Sequence, residues 1–450
     1  MSELNHLSCP FTWEMERVCR TPDSLLNRND GYAYDDSDEC DSGIPLIQLM
    51  YTVAKAYEYA ESNCLEKAIK EIYESEKLFN NVQTNIPKDL SMEAVEHIIK
   101  ASKCFILEKM DKSDDVKNIL KTIPSCKKSP ELGTLHGCQS AIWHFYKFAG
   151  NEKAIDCVLK AIQGNPNNAI WHLLHAKCLR RVRRHACYRS TPSPQEQSEF
   201  KTAFNISLDP FIGIYNAQMY REMWDTQKAK DMYNTIFNMK PNSCSIYLKL
   251  ALGFIRCKDA NKAGKCLDYV EARMPKNSRY LHYKGIYLDK CLNDKKGALD
   301  HFEKAGALLN FVSDLSYLQL QLEIAPGTYD PMPHLQIMMQ RYEKFGGYRV
   351  QDILLNMGTY YMHCKHDAKN ACKYYLQAIE VNPRSKGLRN VYSHISNSKN
   401  NIFERLNTHI IPKLKMQENL DRETSEMVKK VEKYCKLYGT DEHMSLQEHM

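Results

Sequence analysis

The strongest charge feature of the chain is a basic run, KCLRRVRRHACYR, at residues 177–189, with six Lys/Arg side chains and no acidic residue. Lys177, Arg181 and Arg184 are spaced i, i+4 and i+7, so on a helix they form one stripe. Guanidinium groups present paired donors that match phosphate oxygens. The stripe therefore predicts a phosphate-binding surface. A solvated basic face, or pairing with the acidic run at 35–41, is the competing interpretation.

An aromatic residue and a base precede this run by one structural unit. Trp143 and Lys147 are spaced i and i+4 in AIWHFYKFAGN, and in a stacked repeat they would lie beside Lys177 and Arg181. A ring next to a cationic stripe is what a stacked base and its phosphates require. The competing interpretation is that Trp143 belongs to the core.

Tyrosines recur along the same presumed surface. Tyr280, Tyr283, Lys284 and Tyr287 are spaced i, i+3, i+4 and i+7 in a chain with 27 tyrosines. They predict a further aromatic and basic stripe, although ordinary packing between helices would use the same spacing. Intervening segments add Tyr215, Tyr220, Arg221, Tyr247 and Lys249.

The sequence contains no recognisable catalytic or cofactor motif. Phosphate-loop, dinucleotide, H-E-x-x-H and G-x-S-x-G patterns are missing. The metal-like groups are incomplete, because they lack a third ligand or zinc-site spacing: His172 with His175, and His363, Cys364 and His366 with Cys372. We therefore expect a protein that is not an enzyme and uses neither a cofactor nor a metal.

Composition favours a helical protein in a reducing compartment. Gly 18 and Pro 17 are few for 450 residues, and hydrophobic residues make up 43%, which is enough to form a large core. The net charge of +6 is mild, and the 17 cysteines are scattered without paired spacing. No signal peptide or apolar span is recognised. The prediction is a cytoplasmic protein without membrane attachment.

An internal repeat organises the chain. An Ala is followed twelve residues later by a Pro at Ala154, Ala229, Ala263 and Ala371, and the spacing approximates one or two units of 34 residues, the tetratricopeptide (TPR) period. The small Ala admits a close helix neighbour and the Pro stops the second helix. The fold class predicted is an all-α TPR superhelical solenoid, with a concave groove or tunnel lined by the first helix of each unit.

The repeat divides the chain into three regions. Residues 1–44 are predicted to be an irregular arm with at most a short helix. Residues 45–410 are predicted to hold about nine helix pairs, interrupted by a loop at 188–197. Residues 411–450 are predicted to form one amphipathic helix, at 422–438, and a polar tail.

The array resembles the interferon-induced proteins with tetratricopeptide repeats, the IFIT family. The specific matches are Cys9-Pro10-Phe11-Thr12-Trp13-Glu14, the segment WHFYK and the basic helix KCLRRVRR followed by a non-repeat loop. The resemblance spans about residues 6–410. It implies a tunnel that grips the 5′ end of single-stranded RNA, as triphosphate or cap, and keeps foreign RNA from translation.

The resemblance also implies roles for particular residues. Trp143 would stack on the first base or the cap, and Lys147 and Arg181 would contact phosphates. Tyr283 and Lys284 align with an Arg-Tyr pair of the family in reversed order. Arg28 aligns, with a gap, with an arginine of the N-terminal arm that contacts phosphates.

Two functions from different classes follow from the sequence. The first is an antiviral RNA-binding protein whose RNA-binding residues are Trp143, Lys147, Lys177, Arg181, Arg184, Tyr215, Tyr283, Lys284, Tyr287 and Arg28. The second is a TPR scaffold that binds a peptide or partner protein in its groove, or self-associates through its repeats. The preference between triphosphate and cap is left open.

Overall fold

The computed structural model describes residues 4–19, 24–26, 44–83, 90–187, 189–389, 391–393, 395–396, 398–416 and 421–439. The chain forms two compact units, Met1–Pro275 and Lys276–Met450. Arg28 and the acidic run at 35–41 lie outside the described residues.

The first unit is built from helices that pack in consecutive pairs, α2 with α3 through α12 with α13. Their bounds are α1 Glu16–Cys19, α2 Pro45–Glu61, α3 Leu65–Gln83, α4 Met92–Lys109, α5 Ser113–Leu120, α6 Ser129–Phe145, α7 Lys147–Gly164, α8 Ala169–Ala186, α9 Pro194–Ser207, α10 Pro210–Glu222, α11 Thr226–Asn238, α12 Cys244–Arg256 and α13 Ala260–Glu271. The even-numbered helices from α2 to α12 are the first helices of the pairs. Among them, α6 packs on α8, and α10 packs on α12.

The alanines of the repeat have the role that their size predicts. Ala154, Ala229 and Ala263 lie on second helices and are fully buried. On the facing first helix α10, a Cβ added at Gly213 would come within 3.0 Å of the Ile236 side chain of α11. Small residues therefore set the close approach of the two helices in a pair.

The turn between the two helices of a pair has a recurring conformation. The residue two positions before the second helix is left-handed in at least five turns, and in three of them Asp follows it as the helix N-cap. The φ angles are 57° at Asn63, 60° at Asp111, 62° at Trp224, 57° at Lys258 and 54° at Asn293. Asn and Asp tolerate this region better than other L-residues do.

The N-terminal segment lies on the first helices of the first two pairs. The Phe11 ring stacks on Phe105 of α4 at 5.1 Å and meets Tyr57 of α2 edge-on. The backbone N–H of Ser8 donates to His97 Nε2. The Cys-Pro-Phe-Thr-Trp motif thus anchors the start of the chain, and its Pro10–Thr12 forms one 3₁₀ turn.

A buried carboxylate holds the next described part of the arm. Glu58 of α2 accepts hydrogen bonds from Ser24 Oγ at 2.7 Å and from the backbone N–H groups of Leu25 and Leu26, each at 2.9 Å. Residues 20–23 are outside the described range. Residues 24–26 are therefore tied to the first helix pair.

The second unit continues the helix pairs, with α14 on α15, α16 next to α17 and α18 on α19. Its elements are α14 Ser278–Leu292, α15 Lys295–Ala307, α16 Phe311–Ile324, α17 Met332–Tyr342, α18 Gly347–His363, α19 Ala368–Val381, α20 Lys386–Arg389, β1 Val391–Ser393, β2 Ser398–Asn400, α21 Ile402–Arg405, a π-helical turn Leu406–Ile410, α22 Ile411–Lys415 and α23 Arg422–Tyr438. The two short strands pair antiparallel, with Val391 opposite Asn400. Helix α23 packs on α19 through buried Val428, Val431 and Cys435.

One predicted boundary is wrong. The loop predicted at 188–197 ends early, because α9 begins at Pro194. Ser193 caps the helix by accepting a hydrogen bond from the Glu196 backbone N–H at 3.1 Å, and Pro194 occupies the first helical position, where its missing N–H costs nothing. Ser-Pro-Gln-Glu was a helix-start signal within the presumed loop.

Candidate functional site

Helix α8 places the basic run on its C-terminal half. Asn168 caps its N-terminus by accepting from the Ile170 N–H. Lys177, Arg181 and Arg184 are half-buried along one stripe, as their spacing predicts, whereas Arg180 is buried.

Three arginines of the run converge on two glutamates from neighbouring helices. Arg183 Nε lies 2.8 Å from a Glu196 oxygen, and Arg184 Nη2 lies 2.7 Å from a Glu222 oxygen. Buried Arg180 is 3.6 Å from Glu196 and 3.7 Å from Glu222. Burial tends to raise the pKa of Glu222, but Arg180 and Arg184 hold it at about 2. The cluster joins α8, α9 and α10.

This cluster revises the role predicted for Arg184. Its guanidinium donates to Glu222, so its first task is structural. The alternative, pairing of the run with residues 35–41, concerns a segment outside the described residues. In the described part of the chain the counter-charges are Glu196 and Glu222.

Arg181 binds the end of a neighbouring helix. Its Nη1 donates to the carbonyl oxygens of His144 at 2.9 Å and Lys147 at 3.0 Å. Its Nη2 lies 3.3 Å from His144 Nε2, which must accept because Arg is always a donor. Arg181 therefore fixes the turn between α6 and α7 while its side chain stays half-buried.

The i and i+4 spacing predicts Trp143 and Lys147 on the same first helix, and that prediction is wrong. Helix α6 ends at Phe145, and Lys147 adopts a left-handed conformation with φ of 49° that turns the chain into α7. Gly150 permits the turn, since a Cβ there would lie 2.1 Å from the Trp143 carbonyl oxygen. Trp143 is 5% exposed, so stacking on a base would require its ring to be uncovered.

The structure brings together an aromatic ring and two lysines from three first helices. Lys177 of α8 has its Nζ 5.4 Å from the Tyr215 ring centroid, and Lys249 of α12 has its Nζ 5.7 Å from the same ring. Lys249 also lies 4.3 Å from the Phe211 ring. We call Lys177, Tyr215 and Lys249 the lysine–tyrosine cluster. Each ammonium group offers three N–H donors, so two of them near one ring form a group of side chains that can bind an anion.

The remaining predicted residues lie elsewhere. Tyr283, Lys284 and Tyr287 are half-buried on α14 of the second unit. Arg28 is outside the described residues.

The histidine pair that resembled a metal site has another partner. His172 Nδ1 lies 2.6 Å and His175 Nδ1 lies 3.1 Å from the carboxylate of Glu199 on α9. His172 Nε2 lies 2.8 Å from the Pro166 carbonyl oxygen. Among the described residues, His, Cys, Asp and Glu form no group of three suited to a metal. Over the same residues, no helix is long and apolar enough to cross a bilayer.

Sequence reasoning missed two exposed aromatic sites near the basic run. Trp224, in the turn from α10 to α11, is 77% exposed. The Phe148 ring stacks on His185 with centroids 3.8 Å apart, and Phe148 is 50% exposed. Periodicity could not find them, because they occupy turns and helix ends.

The helix pairs and their packing define a TPR solenoid, and comparison with solved structures agrees. Human IFIT1 as a dimer with PPP-AAAA matches with a TM-score of 0.53 and 15% identity over 96% of this chain and 95% of that one. The dimer with m7Gppp-AAAA matches with a TM-score of 0.53 over 99% and 98%. A monomeric IFIT1 mutant with Gppp-AAAA gives 0.54 at 14% identity, over 97% of this chain and 98% of that one. This likeness establishes an IFIT-like TPR fold.

Comparisons of the sequence with known families and proteins do not assign the chain to a family. No protein-family model matches the chain. No curated protein matches it either.

Proposed function

We propose that this protein is a non-enzymatic, cytoplasmic RNA-binding protein of the IFIT type that captures the 5′ end of single-stranded RNA and withholds it from translation in antiviral defence. The observation that carries the proposal is the lysine–tyrosine cluster, with Arg181 one helical turn from Lys177. Cations beside an aromatic ring suit a phosphate chain attached to a base.

Two further observations support this choice of ligand. The first helices α8, α10 and α12 supply the cluster, and first helices usually form the binding face of a TPR array. The proteins of similar fold were solved with RNA carrying a triphosphate or a cap. Lys177 and Lys249 are therefore assigned to phosphates, with Arg181 and Lys147 next to them.

The other candidate residues have secondary roles in this proposal. Arg184 acts through Glu222, and Trp143 forms part of the wall of the site unless its ring is uncovered. Tyr215 supplies the ring between the lysines. Tyr283, Lys284 and Tyr287 of the second unit stay candidate RNA-contacting residues.

The proposal is tested with short RNAs that differ only at the 5′ end: triphosphate, cap, monophosphate and hydroxyl. Binding is measured for the parent, Lys177→Gln and Lys249→Gln, with Lys160→Gln as the control, because Lys160 is exposed on the second helix α7. We expect triphosphate or cap to bind at least about tenfold more tightly than hydroxyl, a difference of about 1.4 kcal/mol. The two cluster variants should lose this preference and the control should keep it.

Trp143 is tested by Trp143→Phe, because removing a buried Trp ring costs about 3 to 5 kcal/mol of stability and would confound binding with folding. A loss of cap preference alone in this variant would assign the ring to the cap. Equal binding of all four RNAs by the parent would contradict 5′-end capture.

A peptide-binding scaffold is the second candidate. Glu196 and Glu222 neutralise much of the basic run, which reduces the attraction to a polyanion. If no RNA binds better than an unrelated polyanion of equal charge, the first-helix face serves a protein partner.

A further inference from the structure

Trp224 occupies a position that the fold itself does not favour. It lies in the turn from α10 to α11 with φ of 62° and 77% of its surface exposed. The other three tryptophans, Trp13, Trp143 and Trp171, are 8%, 5% and 0% exposed. A bulky side chain with positive φ is unusual. An indole that stays exposed also contributes none of the hydrophobic free energy that its burial would provide.

The same turn elsewhere in the chain shows what the conformation requires. Equivalent positions, two residues before the second helix, hold Asn63, Asp111, Lys258 and Asn293. All are polar, and the backbone N–H of the next residue closes the turn in each case, as Asp225 does on the Tyr220 carbonyl oxygen at 3.0 Å. The turn forms without an aromatic residue, so Trp224 is explained by something other than folding.

A second exposed ring, Phe148, packs at the end of α8, which an ion pair joins to the end of α10. Phe148 lies at the start of α7. Its ring stacks on His185 at the end of α8, with the ring planes within 18° of parallel. Arg184, next to His185, is bridged at 2.7 Å to Glu222, two residues before Trp224. This bridge ties the end of α8 to the end of α10. We call Phe148, His185 and Trp224 the turn edge.

The charge along the turn edge favours an anionic ligand. The adjoining ion-pair cluster joins three arginines, Arg180, Arg183 and Arg184, to two glutamates, so these five side chains together carry one net positive charge. Arg221 and Lys228 flank Trp224 in sequence, and Lys228 is matched by Asp225 at 2.8 Å. Flat exposed rings with surplus cations are the features of a platform for single-stranded nucleic acid.

We propose that the turn edge is a second RNA-binding surface, on which bases downstream of the 5′ end stack against Trp224 and the Phe148–His185 pair. This rests on the proposed function, because it extends the path of an RNA whose end is held at the lysine–tyrosine cluster. The bases stack on the rings without sequence preference, and the arginine excess attracts the phosphates between them.

The test compares a triphosphate tetranucleotide, which fills only the 5′-end site, with a triphosphate RNA of three times that length. Binding of both is measured for the parent, Trp224→Asn and Leu208→Asn. Leu208 is the matched control, since it is also left-handed, with φ of 51°, and 60% exposed, in the turn from α9 to α10. Both variants place Asn at a turn that accepts it, so both should fold.

We expect Trp224→Asn to weaken the longer RNA about tenfold, or about 1.4 kcal/mol, and to leave the tetranucleotide unchanged. Leu208→Asn should alter neither. The longer RNA should also quench tryptophan fluorescence in the parent, where Trp224 is the exposed indole, and should shield it from acrylamide.

The outcomes separate this proposal from the one on which it rests. If the parent shows no preference for a 5′ triphosphate, while Trp224→Asn still weakens binding of the longer RNA, the 5′-end site is contradicted. The proposal for the turn edge is then retained. Equal binding of the longer RNA by parent and Trp224→Asn overturns the turn edge. So does a parent dimer in sedimentation that Trp224→Asn abolishes while RNA binding is unchanged, because the ring would then serve a protein interface.

Discussion

Single residues of α8 combine structural and binding tasks, and Arg181 is the clearest case. Its hydrogen bonds to the carbonyl oxygens of His144 and Lys147 hold the end of α6 against the start of α7, and the His144 carbonyl is one of the last four of its helix, which lack an i+4 partner. A loss of RNA binding on mutation of Arg181 would therefore mix two effects. Lys177 lies one helical turn away, with its Nζ 5.4 Å from the Tyr215 ring centroid, so its substitution tests binding separately from those hydrogen bonds.

We predict that Arg181→Ala lowers the free energy of unfolding by about 1 to 3 kcal/mol, because it removes charge-assisted hydrogen bonds to buried carbonyl groups. Lys177→Gln should change it by less than about 0.5 kcal/mol, as expected for a half-exposed side chain. Urea unfolding followed by circular dichroism measures both. Equal destabilisation by the two variants would show that the carbonyl contacts are dispensable.

Trp224 leads to the opposite prediction for stability. The left-handed conformation costs about 1 to 2 kcal/mol for an ordinary L-residue, and Asn tolerates it better. We expect Trp224→Asn to raise the free energy of unfolding by about 1 kcal/mol. Thermal unfolding of the variant beside Leu208→Asn checks this, and a fall in the midpoint would mean that the indole makes a stabilising contact.

Between elements, polar clusters hold α8 against its neighbours. Both ring nitrogens of His172 face acceptors, Glu199 at 2.6 Å and the Pro166 carbonyl oxygen at 2.8 Å. Both can be satisfied only when the imidazole carries two protons. Burial lowers the pKa of His172, but hydrogen bonding to Glu199 and Pro166 outweighs it and raises that pKa. Burial raises the pKa of Glu199, but His172 and His175 hold it at about 2.

The pH dependence of stability follows from these directions. A raised folded pKa of His172 gives stability that is complete below its unfolded value of 6.5 and is lost as pH rises through the folded value. A lowered pKa of Glu199 gives stability that is complete above 4.5 and is lost as pH falls towards 2. The pair should therefore stabilise the fold most between pH 4.5 and 6.5.

We predict that Glu199→Gln lowers the free energy of unfolding by about 1 to 2 kcal/mol near pH 5.5 and by less as the pH rises through the raised pKa of His172. Urea unfolding at several pH values measures the difference. Lys160→Gln should show no such dependence. A difference that is constant from pH 5 to 9 would mean that His172 is neutral throughout.

Elements were easier to predict than contacts between them. The spacing of Ala154, Ala229 and Ala263 was sufficient to predict helix pairs, because each unit repeats one local pattern. The stripe of Lys177, Arg181 and Arg184 was also correct as a helix face. The partners Glu196 and Glu222 could not be predicted, since they come from other helices and their approach depends on how α9 packs.

Turns limited the prediction of the site. Trp143 and Lys147 have helical spacing, and nothing in that spacing shows that α6 ends between them. The conformation of Lys147 depends on Gly150 approaching the Trp143 carbonyl, which is a tertiary constraint. Trp224 was missed for a related reason, because hydrophobic periodicity assigns no function to a residue between helices.

For the molecule as a whole, the proposed function predicts how binding responds to salt. The logarithm of the RNA affinity should fall with the logarithm of salt concentration, with a slope of about 0.7 per phosphate contact. Lys177→Gln should reduce this slope by about 0.7, and Lys160→Gln should leave it unchanged. Titrations at several salt concentrations measure it, and a slope near zero in the parent would favour a mainly apolar peptide ligand.

The N-terminal segment has a consequence for any protein partner. Residues 4–19 and 24–26 cover first-helix surfaces of the earliest repeats through Phe11, Ser8 and the contacts of Glu58. The segment is a tethered peptide, and a tethered ligand acts at an effective concentration of the order of millimolar. A free peptide aimed at the same surfaces would have to outcompete it. The covered surfaces of α2 and α4 are thereby closed to all but ligands that bind tightly enough to displace the segment.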